Sequence, residues 1–562
     1  MSAQKILIIG GVAAGPKAAA RARRLAPDAE ITIVERGSLV SYAGCGMPFY
    51  VAGEVSKYEH LFETTYGVIR DAGYFWREKG CKLLTRTEAK SIDRNKKEVL
   101  VENLETGEQY NLPYDKLVLA TGASPVIPPI EGINLKGVHR LNHPDDAEAI
   151  KKTIAEREVD EVIVIGSGLI GLEVADAVSK LHLFTTVVEL QDQVLPGLLD
   201  HDLAEWLSAK LEEAGVEFRF GQKASRIKGD ENGFVTGVVT DDEELEGQLV
   251  VVAVGVRPNT ELAKQAGLDI GETGAIAVNE YLQTNDPDIY ALGDCVENTH
   301  LVSGKKVYVP LASTANRQGR VVGDNVTGGN TTFKGILGTG VLHVLEYNVG
   351  RTGLGEKQAK DLGYSVLTAL NNTFDRTHYH PDHGMMMMKY IIDEKSGRLL
   401  GAQGQGLGDV IKRIDVLATA ITFGATVDQI SDLDLSYAPP FSTPIDVAQH
   451  TANIARNKMG GIAQCIGAAE LKKKMETDEE FVILDVRTDE QFNTRHLKDD
   501  RVKLVVLGDL RERIEEIPKE KELIVICALG TRSYEALRTL KGAGFEDVKY
   551  LEAGLQGWPY EL

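Results

Sequence analysis

No run of about 18 apolar residues interrupts the 562-residue chain, so no membrane-spanning helix is expected. Cysteine is scarce. The five thiols, Cys45, Cys81, Cys295, Cys465 and Cys527, are odd in number and irregular in spacing, which argues against a disulfide framework and for a reducing compartment. Positive charge is also short: 62 Lys and Arg face 83 Asp and Glu, a formal net charge of −21. That balance disfavours nucleic acid or an anionic membrane as the main partner, while leaving room for small anions in local basic pockets. The opening Met1-Ser2-Ala3-Gln4-Lys5 lacks an apolar signal-peptide core and runs straight into a short strand, so a cytoplasmic location is expected. Glycine, in contrast, is plentiful, with 57 residues, above the usual ~7%. The length exceeds what one core supports at ~100 to 200 residues per domain, so three or four domains are expected.

Two glycine-rich turns organise the first half. Lys5 to Ile9 is a strand; Gly10-Gly11-Val12-Ala13-Ala14-Gly15 follows, then a helix over Pro16 to Leu25 and a strand over Ile31 to Val34 that ends in Glu35. The unit recurs as strand Glu161 to Ile165, turn Gly166-Ser167-Gly168-Leu169-Ile170-Gly171, helix Leu172 to Leu181, and strand Thr186 to Val188 closed by Glu189. Strand, glycine turn, helix and strand, closed by an acid about 20 residues on, is the pattern that rests a pyrophosphate on a helix N-terminus and hydrogen-bonds a ribose. A tight turn alone would account for either unit; two units with their acids point to two nucleotides. Candidate contacts are Gly10, Gly11, Ala14, Gly15, Glu35 and Arg36 for the first, and Gly166, Gly168, Gly171 and Glu189 for the second. Glu189 pairs with a 2′-hydroxyl and repels a 2′-phosphate, and no Arg follows it in Leu190-Gln191-Asp192, so NADH is expected over NADPH.

Leu117-Val118-Leu119-Ala120-Thr121-Gly122 and the run Thr284 to Asp294, T-N-D-P-D-I-Y-A-L-G-D, tie these units together. Over roughly residues 1 to 450 the chain resembles the pyridine nucleotide-disulfide reductases, flavoproteins with two dinucleotide-binding domains. The resemblance implies an α/β fold and two Rossmann-like domains, an FAD domain over 1–145 and 260–325 and an NAD domain over 146–259. It further implies an α+β dimerisation domain over 330–450 and a homodimer. Thr121 and Gly122 then border FAD, Asp294 bonds its ribitol, and Glu173 tunes the nicotinamide and flavin region. A linker over 451–463 leads to a new α/β pattern over 464–562, with strands Phe481 to Val486, Leu523 to Ile526 and Val548 to Leu551. Four consecutive methionines, Met385 to Met388, read as a buried strand, since no His or Cys is spaced around them as ligands.

The segment Ser41-Tyr42-Ala43-Gly44-Cys45-Gly46-Met47-Pro48-Phe49-Tyr50 carries the chemistry of the first half. Two-cysteine reductases place their pair as C-x4-C, but position 50 is Tyr, so a single thiolate must both attack a sulfur and take electrons from the flavin. A buried structural cysteine is the plain alternative. The segment closely resembles that of coenzyme A disulfide reductases and related NADH-dependent persulfide reductases. By that resemblance Cys45 is the nucleophile, Ser41 and Tyr42 flank the substrate, and Lys17, Arg21 and Arg24 contact coenzyme A, whose phosphates demand cations. A solvated helix face would equally explain Arg21 and Arg24. Tyr379, in Thr377-His378-Tyr379-His380-Pro381, and Tyr437, in Leu435-Ser436-Tyr437-Ala438-Pro439-Pro440, match two tyrosines that reach into the other subunit's active site. There a phenol stabilises a thiolate without adding a full charge. Lys412-Arg413-Ile414-Asp415 also matches, without an assignable role. Gly44 and Ile445 depart from the Asn and Lys of many relatives, which loosens the expectation for coenzyme A.

Cys527-Ala528-Leu529-Gly530-Thr531-Arg532-Ser533 follows an apolar strand, placing a thiol among backbone N–H groups at a helix start, a setting that favours a thiolate or persulfide anion. Its C-x4-R ring is shorter than the C-x5-R of protein phosphatases and suits a single sulfur. With Leu484-Asp485-Val486-Arg487 and Gly557-Trp558-Pro559, the last domain resembles rhodaneses, which makes Cys527 and Arg532 its site. It lacks both glycines of Gly-His-Ile-x-Gly-Ala at Thr494 to Asp500, so a degenerate domain is the alternative. Cys81 and Cys295 are expected to be packed, and Cys465 to lie in the linker. The two thiols together imply NADH- and FAD-dependent reduction of a persulfide, polysulfide or coenzyme A disulfide. The rivals are an NADH oxidase or peroxidase cycling Cys45 through a sulfenic acid, and a sulfur carrier with a redox-sensing flavin half.

Overall fold

Lys5–Ile9 is a run of aliphatic residues too short for a helix, and it lies in the middle of a five-stranded sheet. In the computed structural model, which describes residues 3–562, it pairs in parallel with Glu30–Val34 on one side and Lys116–Leu119 on the other. Met1 and Ser2 of the opening segment lie outside the described residues. Ile289–Ala291 and Lys82–Leu84 complete that sheet, also in parallel. Parallel neighbours require crossovers, and the first is the helix Ala14–Leu25, whose small buried face of Ala18, Ala19 and Ala22 packs against the strands. A second parallel sheet repeats the plan with Phe184–Glu189, Glu161–Ile165, Leu249–Val252 and Val138–His139. Between its first two strands runs the helix Leu169–Ser179.

By compactness the chain divides into two units, Met1–Leu190 with Gly221–Ile336 and Gln191–Phe220 with Leu337–Leu562. The second unit holds an antiparallel sheet in the order Gly340–Val344, Tyr347–Gly353, Leu399–Gly406, Met385–Asp393 and Val366–Phe374. The four methionines begin its fourth strand, and Met386, Met387 and Met388 are buried, as expected of a core strand. The sheet carries a buried cation: Lys389 Nζ lies 2.8 to 3.2 Å from carboxylate oxygens of Glu356, Asp202 and Asp200, so the charge is compensated on three sides.

The second unit also holds a parallel sheet in the order Cys465–Ile466, Val548–Leu551, Glu522–Ile526, Phe481–Asp485 and Val502–Leu504. The fold is therefore mixed α/β throughout, with parallel sheets in both units and an antiparallel one in the second. The stretch expected as a linker, 451–463, is mostly the end of helix Val447–Met459. Its Ala448, Ala452 and Ala455 form a buried stripe at helical spacing, and the helix packs on the strand Val366–Phe374. Small polar composition reads as loop, whereas small residues also let a helix approach a sheet closely.

Candidate active site

The first glycine turn leaves no room for side chains. A Cβ on Gly10, whose φ is +114°, would lie 2.0 Å from Ala120 O, and one on Gly15 would lie 2.1 Å from Gly10 O. The helix that follows has no side-chain N-cap, so its first N–H groups point toward an open cavity. Glu35 closes the adjoining strand, its carboxylate accepting from Gly11 N and Gly37 N at 2.7 Å each.

The cavity, about 1310 Å³, is lined by Gly10, Gly11, Ala14, Glu35 and Arg36, by Thr121, Gly122 and Asp294, and by Cys45. Bare helix N–H groups for a pyrophosphate, a carboxylate at the adjoining strand end for a ribose and a large cavity that a thiol also lines are what an extended dinucleotide requires, and these residues fit FAD. Asn259, which the sequence reading missed, also lines it; it clasps Thr121, donating from Nδ2 to Thr121 O at 2.8 Å while its own O accepts Thr121 Oγ1 at 2.7 Å. Burial pushes the Asp294 carboxyl above its ordinary value.

Cys45 sits in a single tight turn, Gly44–Gly46, with its side chain on the cavity wall. Loss of solvent on the protein side raises its pKa first, and the carboxylates of Glu173 and Asp294 raise it further. Ser41 reaches this segment with φ +50°, rare for a residue with a Cβ. It is held there by Arg70 Nη1, which donates to Ser41 O at 2.8 Å, and by its own N–H, which donates to Gly11 O at 2.9 Å. Arg70 is a second cavity residue that no motif announced. Tyr42 also lines the cavity; burial and then Glu35 push its phenol up to about 12. Tyr50, where a second cysteine would stand, is buried instead and donates to Glu148 Oε2 at 2.5 Å. Of the three cations expected to meet coenzyme A, Lys17 lines the cavity. Arg21 is committed to Asp324, Nε to Oδ1 at 2.5 Å, and Arg24 is exposed farther along the helix.

The second turn repeats the first. Gly166 has φ +104°, a Cβ on Gly171 would lie 1.9 Å from Gly166 O, and the space above Gly168 is open. Glu189 at the strand end is buried and accepts from Ser167 N at 2.8 Å and Ser167 Oγ at 2.9 Å. Ile170 and Glu173, from the helix of this second turn, reach the cavity of the first. Burial, followed by the nearby Asp176, pushes the Glu173 carboxyl up to about 7.

Tyr379 and Tyr437 belong to the second unit, Cys45 to the first. The two phenols interact with each other and stay exposed, at 66% and 47%. Arg413, from the segment without an assignable role, explains why they meet. Its guanidinium, 1% exposed, pairs with Asp446 at 2.8 Å and also donates to Asp375 O at 2.8 Å. It thereby pins the loop that leads to Tyr379 beside the segment that follows Tyr437.

Cys527 ends the strand Glu522–Ile526 and is 1% exposed. Its Sγ accepts from Gly530 N at 3.1 Å and Ser533 N at 3.4 Å, and Gly530 takes φ +103° to aim its amide inward. Arg532 is turned to Gln491, Nη2 to Oε1 at 2.8 Å. In the region without the two glycines, the carbonyl of Arg495 instead accepts from Arg487 Nη2 at 2.8 Å, and the same Arg487 pairs with the buried Asp485 at 2.7 Å. Cys81 and Cys295 are buried. Cys465 begins a strand beside Lys458 and Glu552, and burial, then Glu552, pushes its thiol up to about 12.

Residues 4–319 match the family described as pyridine nucleotide-disulphide oxidoreductase, 341–448 its dimerisation domain and 467–560 the rhodanese-like domain. The chain is 38% identical over 439 residues to the NAD(P)H coenzyme A polysulfide/persulfide reductase of Pyrococcus horikoshii, covering 78% of this chain and 95% of that protein. An NADH oxidase of Methanocaldococcus jannaschii is 34% identical over 452 residues, 80% of this chain and 98% of that one. Among solved structures, the NAD-dependent persulfide reductase of A. fulgidus superposes with a TM-score of 0.94 at 44% identity, covering 99% of this chain and all of that one. The reduced Bacillus anthracis CoADR-RHD superposes with a TM-score of 0.91 at 34% identity, over 99% and 98% of the two chains.

Proposed function

Since the chain belongs to the pyridine nucleotide-disulphide oxidoreductase family, we propose that it is an FAD- and NADH-dependent enzyme that reduces a persulfide, a polysulfide or coenzyme A disulfide through Cys45. The observation that carries this reading is one thiol, without a partner cysteine, on the wall of a cavity lined by the first glycine turn and by Glu173 from the helix of the second. A lone thiol on that wall suits one exchange. The Cys45 thiolate attacks the inner sulfur of R–S–SH, the S–S bond breaks toward the outer sulfur, hydrosulfide leaves with its electron pair, and Cys45 is left in a mixed disulfide with R. FAD, when bound, supplies the electron pair drawn from NADH that returns Cys45 to a thiolate and frees R–SH. Glu173, titrating near neutrality, is placed to hold or release a proton beside the thiol. Glu189 favours a 2′-hydroxyl and hence NADH, and Lys17 offers a cation to an anionic carrier such as coenzyme A.

The proposed assignment of domains is FAD-binding over 1–145 and 260–325, NAD-binding over 146–259, dimerisation over 330–450 and rhodanese-like over 464–562. In a homodimer, Tyr379 and Tyr437 would serve the partner's Cys45. Cys527, cradled by the amides of Gly530 and Ser533, is suited to carry sulfane sulfur as a persulfide, and Arg532 at the loop's end would leave Gln491 to meet an anionic donor. A sulfur-carrying domain on the same chain favours sulfur over peroxide chemistry.

The test is anaerobic NADH oxidation with coenzyme A persulfide and with coenzyme A disulfide, following sulfide release, in wild type, Cys45→Ser and Cys527→Ser. Turnover of either substrate that vanishes in Cys45→Ser is expected, with sulfide released from the persulfide. Cys527→Ser is expected to keep disulfide reduction and lose sulfur uptake from a thiosulfate-type donor. NADH consumption that appears only on adding oxygen or peroxide would overturn the reading in favour of an oxidase.

A further inference from the structure

Cys45 is followed almost at once by the five-residue helix Met47–Val51, so whatever fixes that helix fixes the thiol. One side is held through Tyr50. Its hydroxyl donates to Glu148 at 2.5 Å, and Lys151 lies 4.2 Å above its ring and donates to its carbonyl at 3.3 Å; both partners are on the helix Pro144–Glu156. The other side packs on Leu169–Ser179, the helix that carries Glu173. Here a single cation makes the tie. Lys180, at the C-terminal end of that helix, reaches Glu54 Oε1 at 2.6 Å and Asp176 Oδ2 at 2.9 Å.

The ends of this bridge lie where they matter. Glu54 follows the Cys45 helix within one turn's length of chain, and Asp176, 5% exposed, sits one helical turn from Glu173. The ammonium also occupies the helix C-terminus, where the dipole favours a cation. We propose that Lys180 is a positioning residue for the reductase site: by bridging Glu54 and Asp176 it clamps the segment bearing Cys45 onto the helix bearing Glu173. The inference rests on the role assigned to Cys45, and it adds a residue that touches neither thiol nor nucleotide.

The clamp acts on the thiol in two ways. It holds the turn Gly44–Gly46 against the cavity wall, and it sets one positive charge against an acidic neighbourhood. The charged groups around the thiol are Glu173 and Asp294, those beyond them are Asp176 and Glu54, and the third helix contributes Glu148 and Lys151. Removing Lys180 takes one positive charge away from Asp176 and Glu54, and a more negative surrounding makes a thiolate harder to form.

The experiment uses the full-length, flavin-loaded protein and follows iodoacetamide alkylation of Cys45 by peptide mass spectrometry across pH 6 to 10. Lys180→Met is expected to move the Cys45 profile to higher pH, slowing alkylation about threefold near pH 8, since half a unit of pKa is about threefold in thiolate. Lys180→Arg restores the profile. Glu54→Gln, which removes one carboxylate and leaves the ammonium in place, shifts it to lower pH by less and decides the matter should Lys180→Met fail to fold. A wild-type profile in the folded variants overturns the clamp, as does a slowed profile that Lys180→Arg shares in full. No sulfur substrate is involved, so the clamp can fail while persulfide reduction stands, and the reductase can fail while the clamp stands.

Discussion

Glu173 holds its proton to a pH where an ordinary carboxyl has lost it. Burial, then Asp176, pushes its pKa from 4.5 up to about 7, so between those values the native protein binds a proton that the unfolded chain has released. Stability therefore falls as pH rises through that window, and above about 7 the loss is complete. Glu173→Gln removes the titration. The unfolding free energy of the variant relative to wild type is expected to rise between pH 4.5 and 7 by on the order of 2 kcal/mol, after allowance for partial solvation. Urea unfolding at several pH values measures it, and a difference that stays flat with pH would sink the prediction. Glu173 was legible in the chain because it lies two residues past Gly171, Glu189 because it closes the strand after that turn, and Cys45 because it stands in the segment Ser41 to Tyr50, which resembles that of known reductases. Lys180 was not, since its partner Glu54 is 126 positions away and a lone Lys after a helix carries no pattern. Arg70, Asn259 and Gln491 escaped for the same reason.

Strand, glycine turn and helix behave as one element, because the helix starts so close to the strand end that only hydrogen fits between them. Gly15→Ala must displace Gly10 O from 2.1 Å, and Gly171→Ala must displace Gly166 O from 1.9 Å. The two contacts are alike, but the expected losses differ. Gly15→Ala is expected to purify with little flavin, read as the ratio of flavin to protein absorbance. Gly171→Ala keeps its flavin and binds NADH at least tenfold more weakly, on the scale of about 1.4 kcal/mol lost at a crowded turn, read by titrating flavin reduction with NADH. Equal flavin loss in both variants would contradict separate sites. Most of these elements could be read from the chain because strand and helix periods are local. The helix Val447–Met459 could not: its Ala448, Ala452 and Ala455 look like linker composition until the strand Val366–Phe374 is present to bury them.

At the largest scale, the second unit joins its last α/β portion to the antiparallel sheet through polar contacts in a shielded seam. Lys458 and Glu552 pair at 3.0 Å with side chains only 14% and 10% exposed, Glu552 also accepts from Leu370 N at 2.9 Å, and Trp206 Nε1 donates to Gln556 O at 2.9 Å. Breaking such a pair from one side strands the other charge, which costs about 2 kcal/mol or more at this degree of burial. Glu552→Gln is therefore expected to expose the segment 460–464 to limited proteolysis while flavin content stays at the wild-type level. An unchanged cleavage rate would show that the seam does not depend on this pair.

Local spacing was enough to determine the two glycine turns with their closing acids, the lone cysteine of the segment Ser41 to Tyr50 with Tyr50 in place of a second one, and the amide-lined ring at Cys527. Each is a short stretch whose chemistry requires its residues in order. Tertiary structure alone decided which charges act on those groups: Glu173 and Asp294 beside Cys45, Asp324 claiming Arg21 and leaving Lys17 at the cavity, Arg413 drawing together the loops of two tyrosines 58 residues apart, and Lys180 pairing with Glu54. The physical reason is that burial and Coulomb interaction depend on distance in space, which a chain folded through parallel crossovers sets between residues that its sequence keeps far apart.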